Sequence, residues 1–243
     1  YGCGSAGVVK ISTLDPSDFL NDSGIYGLRI RNAYHSNSGE WSNSAVAAAG
    51  NDALQLLYEY SRREGDDITL ADGVELPDSA IEREAHLLKA IWTPSIDHRF
   101  EFGFSDYSSA DQGGANPQSN TNFTQHPEAG RFIDYSQVSL NWAYNPLGND
   151  WINSNLTINL KQTSQLRNYL ATTGSNLTRS KLHDFSVTGI DFFNTSRFSH
   201  LGLDHELLIG FEFFREKQDG DETRNTFILP GTNGDSGTRP DAE

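Results

Sequence analysis

The sequence predicts an all-β chain. It reads as an antiparallel meander of about nine strands, part of a larger transmembrane β-barrel, with a short segment of another kind before it. Three observations point there. Apolar and polar residues alternate with period two in run after run. The runs are around ten residues long, the length a tilted strand needs to cross a bilayer. The connections between them alternate short and long, as on the two sides of an outer-membrane barrel.

Composition fits the same picture. The 243 residues are 36% hydrophobic and 11% aromatic, so the chain is polar and aromatic at once. A sheet with one wet face and one greasy face needs that mixture; a sealed globular core does not. Hydropathy averages out in such a sheet, and the membrane signal survives only in the alternation. There is no apolar run long enough for a membrane-spanning helix. The net charge of −15 leaves no basic footprint for nucleic acid. A single cysteine, Cys3, excludes an internal disulfide framework and a cysteine zinc site. The sequons Asn155-Leu156-Thr157 and Asn176-Leu177-Thr178 read as chance in a chain rich in Asn, Ser and Thr.

In chain order, Gly2-Cys3-Gly4-Ser5-Ala6-Gly7 spells a dinucleotide-binding fingerprint, but no strand precedes it and Val8 to Thr13 reads as strand, not helix. A glycine turn feeding a strand is the better reading. Leu28, Ile30 and Tyr34 then alternate with Arg29, Arg31 and His35, with Asn32 interrupting the apolar face. Trp41 to Ala49 is mostly small, and its faces are ambiguous. Leu54, Leu56, Tyr58 and Tyr60 share one face, whereas Leu87 to Trp92 is ambiguous. Phe100, Phe102 and Phe104 alternate with Arg99, Glu101, Gly103 and Ser105. Val138, Leu140, Trp142 and Tyr144 share a face, as do Leu156, Ile158 and Leu160. Near Gly189 the phase slips between Phe185/Val187 and Ile190/Phe192, which predicts a β-bulge. Leu207, Ile209, Phe211 and Phe213 alternate cleanly apart from Leu208.

Short turns are expected at Gly50–Asp52, Pro94–His98, Pro146–Asp150 and Ser199–Asp204. Long loops are expected at Asp66–Ala80, Gln112–Asp134, Ala171–Ser180 and from Asp219 to the end. The acidic clusters Glu64–Asp67 and Asp219–Glu222 read as solvated loop residues. Trp41, Trp92, Trp142 and Trp151 lie near strand ends, where interfacial aromatic belts sit.

The stretch Tyr1-Gly2-x-Gly4-x-x-Gly7-Val8-Val9, with Thr13, resembles the segment that closes the plug domain of TonB-dependent outer-membrane receptors, just before their first barrel strand. Further stretches resemble the haem, haemoglobin and transferrin/lactoferrin receptor branch of that family. They are Thr13-Leu14-Asp15-Pro16-Ser17-Asp18-Phe19-Leu20, Tyr60 to Asp66, Leu76-Pro77-Asp78-Ser79, Trp92-Thr93-Pro94 with His98-Arg99-Phe100-Glu101, Ala115-Asn116-Pro117 and Asn194-Thr195-Ser196-Arg197-Phe198. The resemblance implies a fragment, with residues 1–20 the end of a plug and residues 21–243 the N-terminal part of the barrel. It implies a receptor in the outer membrane of a Gram-negative bacterium, embedded in outer-membrane lipid and energised by a TonB complex that contacts a missing N-terminal part. The cargo it implies is an iron source, foremost haem or a haem protein. A siderophore receptor of the same class or a passive porin-type channel are the alternatives.

No catalytic residue, metal site or resident cofactor is expected. Gly234-Asp235-Ser236-Gly237 looks like a serine-protease loop but lacks the partners that chemistry needs. The branch's haem-ligating histidines do not fall on matched positions, so no ligand residue is carried over. The candidates from the sequence are His126, in the long loop after the fifth strand, and Arg29 and Arg31 on the lumen-facing side of the first. The plainer readings are a solvated loop histidine and a polar lumen wall bonded to the plug. His35 and His183 are expected to face water.

Overall fold

The computed structural model describes residues 13–20, 25–76, 79–114, 128–169 and 177–226, with some side chains at the strand tips not described. A 3₁₀ turn, Pro16–Asp18, comes first. The strands follow: β1 (Tyr26–His35), β2 (Glu40–Gly50), β3 (Leu54–Gly65), β4 (Ile68–Thr69), β5 (Glu75–Leu76), β6 (Ile81–Ser95), β7 (His98–Gly114), β8 (Glu128–Tyr144), β9 (Ser154–Tyr169), β10 (Leu177–His200) and β11 (Leu203–Thr226). Nine of them form one antiparallel sheet in the order β1-β2-β3-β6-β7-β8-β9-β10-β11, each paired with its neighbour along the chain. The expected all-β meander is therefore the observed fold. Strands β4 and β5 form a small separate hairpin inside the loop expected at Asp66–Ala80.

Register shows why the alternation was so regular. Residues 13–20 pack on one face of the sheet, which is the inner face. On the opposite, outer face, Leu54, Trp92, Phe100, Trp142, Leu156, Phe192 and Phe211 stand in one cross-strand ladder. Leu56, Ala90, Phe102, Leu140, Ile158, Ile190 and Phe213 form the next. The third starts with Tyr58, Leu88, Phe104, Val138 and Leu160 but ends in Thr188 and Arg215. The fourth is polar beyond Tyr60: His86, Asp106, Ser136, Gln162, Ser186 and Lys217. An apolar band thus lies toward the short-turn end. On β8 it runs from Val138 to Tyr144, about 20 Å of strand.

Aromatic rings edge this band. Trp92 stacks on Phe100 with centroids 5.2 Å apart, and His98 lies 4.4 Å from Tyr144. The Trp142 indole donates to His98 Nδ1 at 3.2 Å. Trp151 lies parallel to Phe198 at 5.1 Å. Near the β1–β2 turn, at the long-loop end, Tyr34 meets Trp41 at 5.0 Å.

Four expectations need correction. Strands of around ten residues hold for β1 to β3 only; β10 and β11 are 24 residues each and paired along their whole length. That pairing takes Asp219–Glu222 out of the expected terminal loop and into β11, opposite Lys181 to Asp184. The expected loop at Gln112–Asp134 is likewise shortened by β7, which reaches Gly114, and β8, which starts at Glu128. No bulge occurs at Gly189, because β10 keeps unbroken register with both neighbours. Phe185 and Val187 simply lie on the inner face beyond the band, and Ile190 and Phe192 on the outer face within it. The register shift falls instead between Trp92 and Ser95, around Pro94, which has no N–H to give the ladder.

The ambiguous runs resolve the same way. In β2, Trp41, Ala45, Ala47 and Ala49 face outward and Val46 and Ala48 inward. Leu208, the lapse in β11, lies on the inner face opposite Thr195.

Candidate functional site

The inner face is where side chains of different elements converge. Its densest part lies over β1, β2, β3 and β6. Pro16 at the first position and Asp15 as N-cap fix the 3₁₀ turn: the Ser17 amide donates to Asp15 Oδ1 at 3.1 Å, and the Asp15 amide donates to Asp18 Oδ2 at 2.9 Å. The turn then presents Leu14, Phe19 and Leu20 to Val46, Ala48 and Leu57, with Leu87 alongside. Val46 and Leu57 are each 1% exposed, a real core on what would otherwise be an open sheet face.

Polar contacts lock the same segment. The Arg29 guanidinium lies 4.6 Å from the centre of the Phe19 ring. A Cβ at Gly27 would sit 2.5 Å from the Phe19 carbonyl oxygen, so only glycine lets the turn come this close. Lys89, 7% exposed, reaches Asp15 at 3.6 Å and Glu101 at 3.2 Å, and Arg99 pairs with Glu101 at 3.4 Å. Burial pushes the Asp15 carboxyl up, but the Ser17 hydroxyl and amide, with Lys89 and Arg99, outweigh it and hold it below its ordinary value.

Further along the sheet the inner face turns polar. Asn141 donates to Asn155 at 3.1 Å and to Thr157 at 2.9 Å. The Tyr135 hydroxyl donates to Gln137, and the Lys161 ammonium lies over the Tyr135 ring. Near the long-loop end, Asp111, Arg131, Arg167, Lys181 and Glu222 stand opposite one another on five successive strands. Asp111 is held by Arg83 at 3.3 Å, and Lys181 reaches Glu222 at 3.6 Å.

Of the residues singled out in the sequence, Arg29 sits in the docking contact just described. Arg31 lies on the same inner face, opposite Ser44, and is exposed. His126 lies outside the described residues, as do the glycine turn of residues 2–7 and Gly234–Gly237. His35 and His183 are both exposed. The stretch Asn194–Phe198 holds a turn: Asn194 Oδ1 accepts from the Asn153 amide and the Ser154 hydroxyl, and Ser196 donates to the Trp151 carbonyl at 2.7 Å. Ser79 does likewise for the β4–β5 hairpin, accepting from the Ile68 amide at 2.7 Å and donating to the Leu76 carbonyl at 2.7 Å. Lys89, Arg131, Arg167 and Lys181 were not legible as site residues. Each is one polar residue among many on an inner-face period, and only cross-strand register brings them together. Among the described residues, no three His, Cys, Asp or Glu side chains converge as metal ligands.

No protein-family model matches the chain. It is 25% identical over 252 residues to TonB-dependent heme receptor A of Haemophilus influenzae, an alignment covering 94% of this chain and 33% of that protein. Among solved structures it matches the Serratia marcescens hemophore receptor HasR, determined as a double mutant in complex with its hemophore HasA and heme. There the TM-score is 0.52 and the identity 12%, over 90% of this chain and 45% of HasR. The chain thus spans about a third of the curated relative and less than half of the structural one. In sequence and in fold it is similar to TonB-dependent haem receptors, which are receptors and not enzymes.

Proposed function

We propose that this chain is part of a TonB-dependent outer-membrane receptor that takes up an iron source, foremost haem or a haem protein. Residues 1–20 would be the end of its plug, and residues 21–243 the N-terminal part of its barrel. The observation that carries this reading is the docked segment. A nine-stranded sheet with an apolar outer band holds residues 13–20 tightly on its inner wall. A plug leaving the lumen of a barrel would sit this way, and a simple porin has no such segment.

The physics of the role follows. The outer ladders from Leu54 to Phe211 and from Leu56 to Phe213 would face lipid in the outer membrane of a Gram-negative bacterium, and the aromatic rows would lie at its interfaces. The polar upper halves of β7 to β11 would stand above the bilayer with the long loops, where cargo arrives. Asp15, Lys89, Phe19 and Arg29 would anchor the end of the plug, so that a TonB pull on its far side works against a fixed point. No bond is made or broken in the cargo, and the inner wall supplies only a polar path.

The test is growth on haem as sole iron source of a strain lacking its own haem receptors and given the full-length gene. TonB-dependent growth supports the proposal. Growth that persists without TonB favours a passive channel. Growth on a ferric siderophore but not on haem keeps the receptor class and discards the cargo.

A further inference from the structure

On the inner face near the long-loop end, the charge pattern is at odds with the rest of the chain. Acidic residues outnumber basic ones 33 to 18. Yet Arg131, Arg167 and Lys181 stand directly opposite one another on β8, β9 and β10. Like charges facing across neighbouring strands repel. The two carboxylates at the ends of the row do not relieve the middle: Asp111 is engaged by Arg83, and Glu222 lies on the far side of Lys181. The Nε atoms of Arg131 and Arg167 are shut off from solvent and have no hydrogen-bond partner among the described residues. Among the described residues, the Arg167 fork hydrogen-bonds Gln165 alone, at a long 3.5 Å. A buried guanidinium N–H without an acceptor is costly, and an anion seated between the two partly exposed forks would supply one.

Directly beside this row is a recess of about 370 Å³, lined by Thr163, Gln165, Arg167, His183, Phe185 and Gln218. None of these lining groups is a carboxylate. Its polar groups are side chains that can donate, and Phe185 gives it an apolar wall. Gly220, opposite His183, keeps the space beside the imidazole open: a Cβ there would lie 3.5 Å from Nδ1.

We propose that this recess is a carboxylate-binding site on the inner wall, with Arg167, which lines it, as its principal ligand, Arg131 flanking it from the neighbouring strand, and Phe185 supporting the apolar body of the molecule. The occupant is a small, flat or compact anion carrying at least one carboxylate. The inference rests on the receptor reading above, since it places the site on the cargo's path just inside the long loops.

The experiment uses the full-length protein purified in detergent and titrated calorimetrically with citrate, then with a porphyrin dicarboxylic acid and its dimethyl ester. Arg131→Gln/Arg167→Gln is expected to weaken citrate binding at least about tenfold. Arg131→Lys/Arg167→Lys, which keeps the charge but loses the planar fork, is expected to weaken binding measurably less than the Gln pair does. Heat-modifiable gel migration establishes that each variant is folded. Citrate binding that is absent in the wild type, unchanged in the Gln variant, or lost equally in the Lys variant overturns the proposal. Citrate bound through these arginines with no porphyrin bound keeps the recess and sinks haem as the cargo. A diacid that binds more tightly than its ester, with the preference abolished by the Gln pair, supports both.

Discussion

The inner faces of β1, β2, β3 and β6 and of β8–β11 are built on the same alternation and end up as different surfaces. Over β2 and β3 the inward residues Val46, Ala48 and Leu57 are buried beneath Leu14, Phe19 and Leu20. Over β8 to β11 the inward positions carry Gln137, Asn141, Thr157, Lys161, Arg167 and Glu216, and the described residues place nothing on top of them. The outer face does not divide this way: its apolar ladders run through both regions. The outward half of the pattern answers to one environment along the whole sheet, whereas the inward half answers to whatever each strand meets. A covered wall is made of small and branched apolar residues, and an uncovered one of amides and charges that water can solvate.

That comparison can be broken most forcefully at the covered wall. Leu57→Ala should cost about 2–5 kcal/mol, because the cavity is closed on both sides, whereas Phe185→Ala on the open wall should cost less than about 1 kcal/mol. Urea unfolding of the full-length protein in micelles measures both, and equal costs would remove the distinction. Gly27→Ala should displace Phe19 and cost about 1–3 kcal/mol by overpacking. Gly189→Ala, where a Cβ meets nothing within 4 Å, should stay within about 0.5 kcal/mol of wild type.

Polar anchoring of the docked segment should be smaller and local. Lys89→Met leaves Asp15 and Glu101 facing each other without their shared cation. It should speed hydrogen exchange at the Phe19 and Leu20 amides, which donate to the Pro16 carbonyl at 3.1 Å each. Amides in mid-β9 should not respond.

The pH response should be the smallest effect. Asp15 has a lowered pKa in the folded state, so its contribution is complete above its ordinary value of 3.8 and is lost as pH falls through the lower folded value. Exchange at Phe19 and Leu20, corrected for intrinsic rate, should be flat from neutral pH to about 5 and should rise only below about 4. A rise near neutrality would assign the anchoring to another group.

Strand existence, antiparallel order and the outer apolar face were all legible along the chain, because outward and inward residues alternate with a period of two, whatever the partner strand is. Phe100-Glu101-Phe102-Gly103-Phe104 states its two faces without help. Strand ends were not legible: nothing local to Asp219–Glu222 says that it pairs with Lys181 to Asp184, and only the partner makes that acidic stretch a strand. The apparent phase slip at Gly189 had the same origin. A long strand passes from an apolar band into a polar zone, so its apolar residues change face while its register stays regular. The inner wall was decided by tertiary structure alone. Residues 26 positions apart or more, such as Phe19 with Leu57 or Asp15 with Lys89, meet because the sheet carries them together, and Arg131, Arg167 and Lys181 form a row only through cross-strand register. Alternation fixes which way a side chain points. Which side chains it then meets depends on the pairing of whole strands, and no local pattern encodes that.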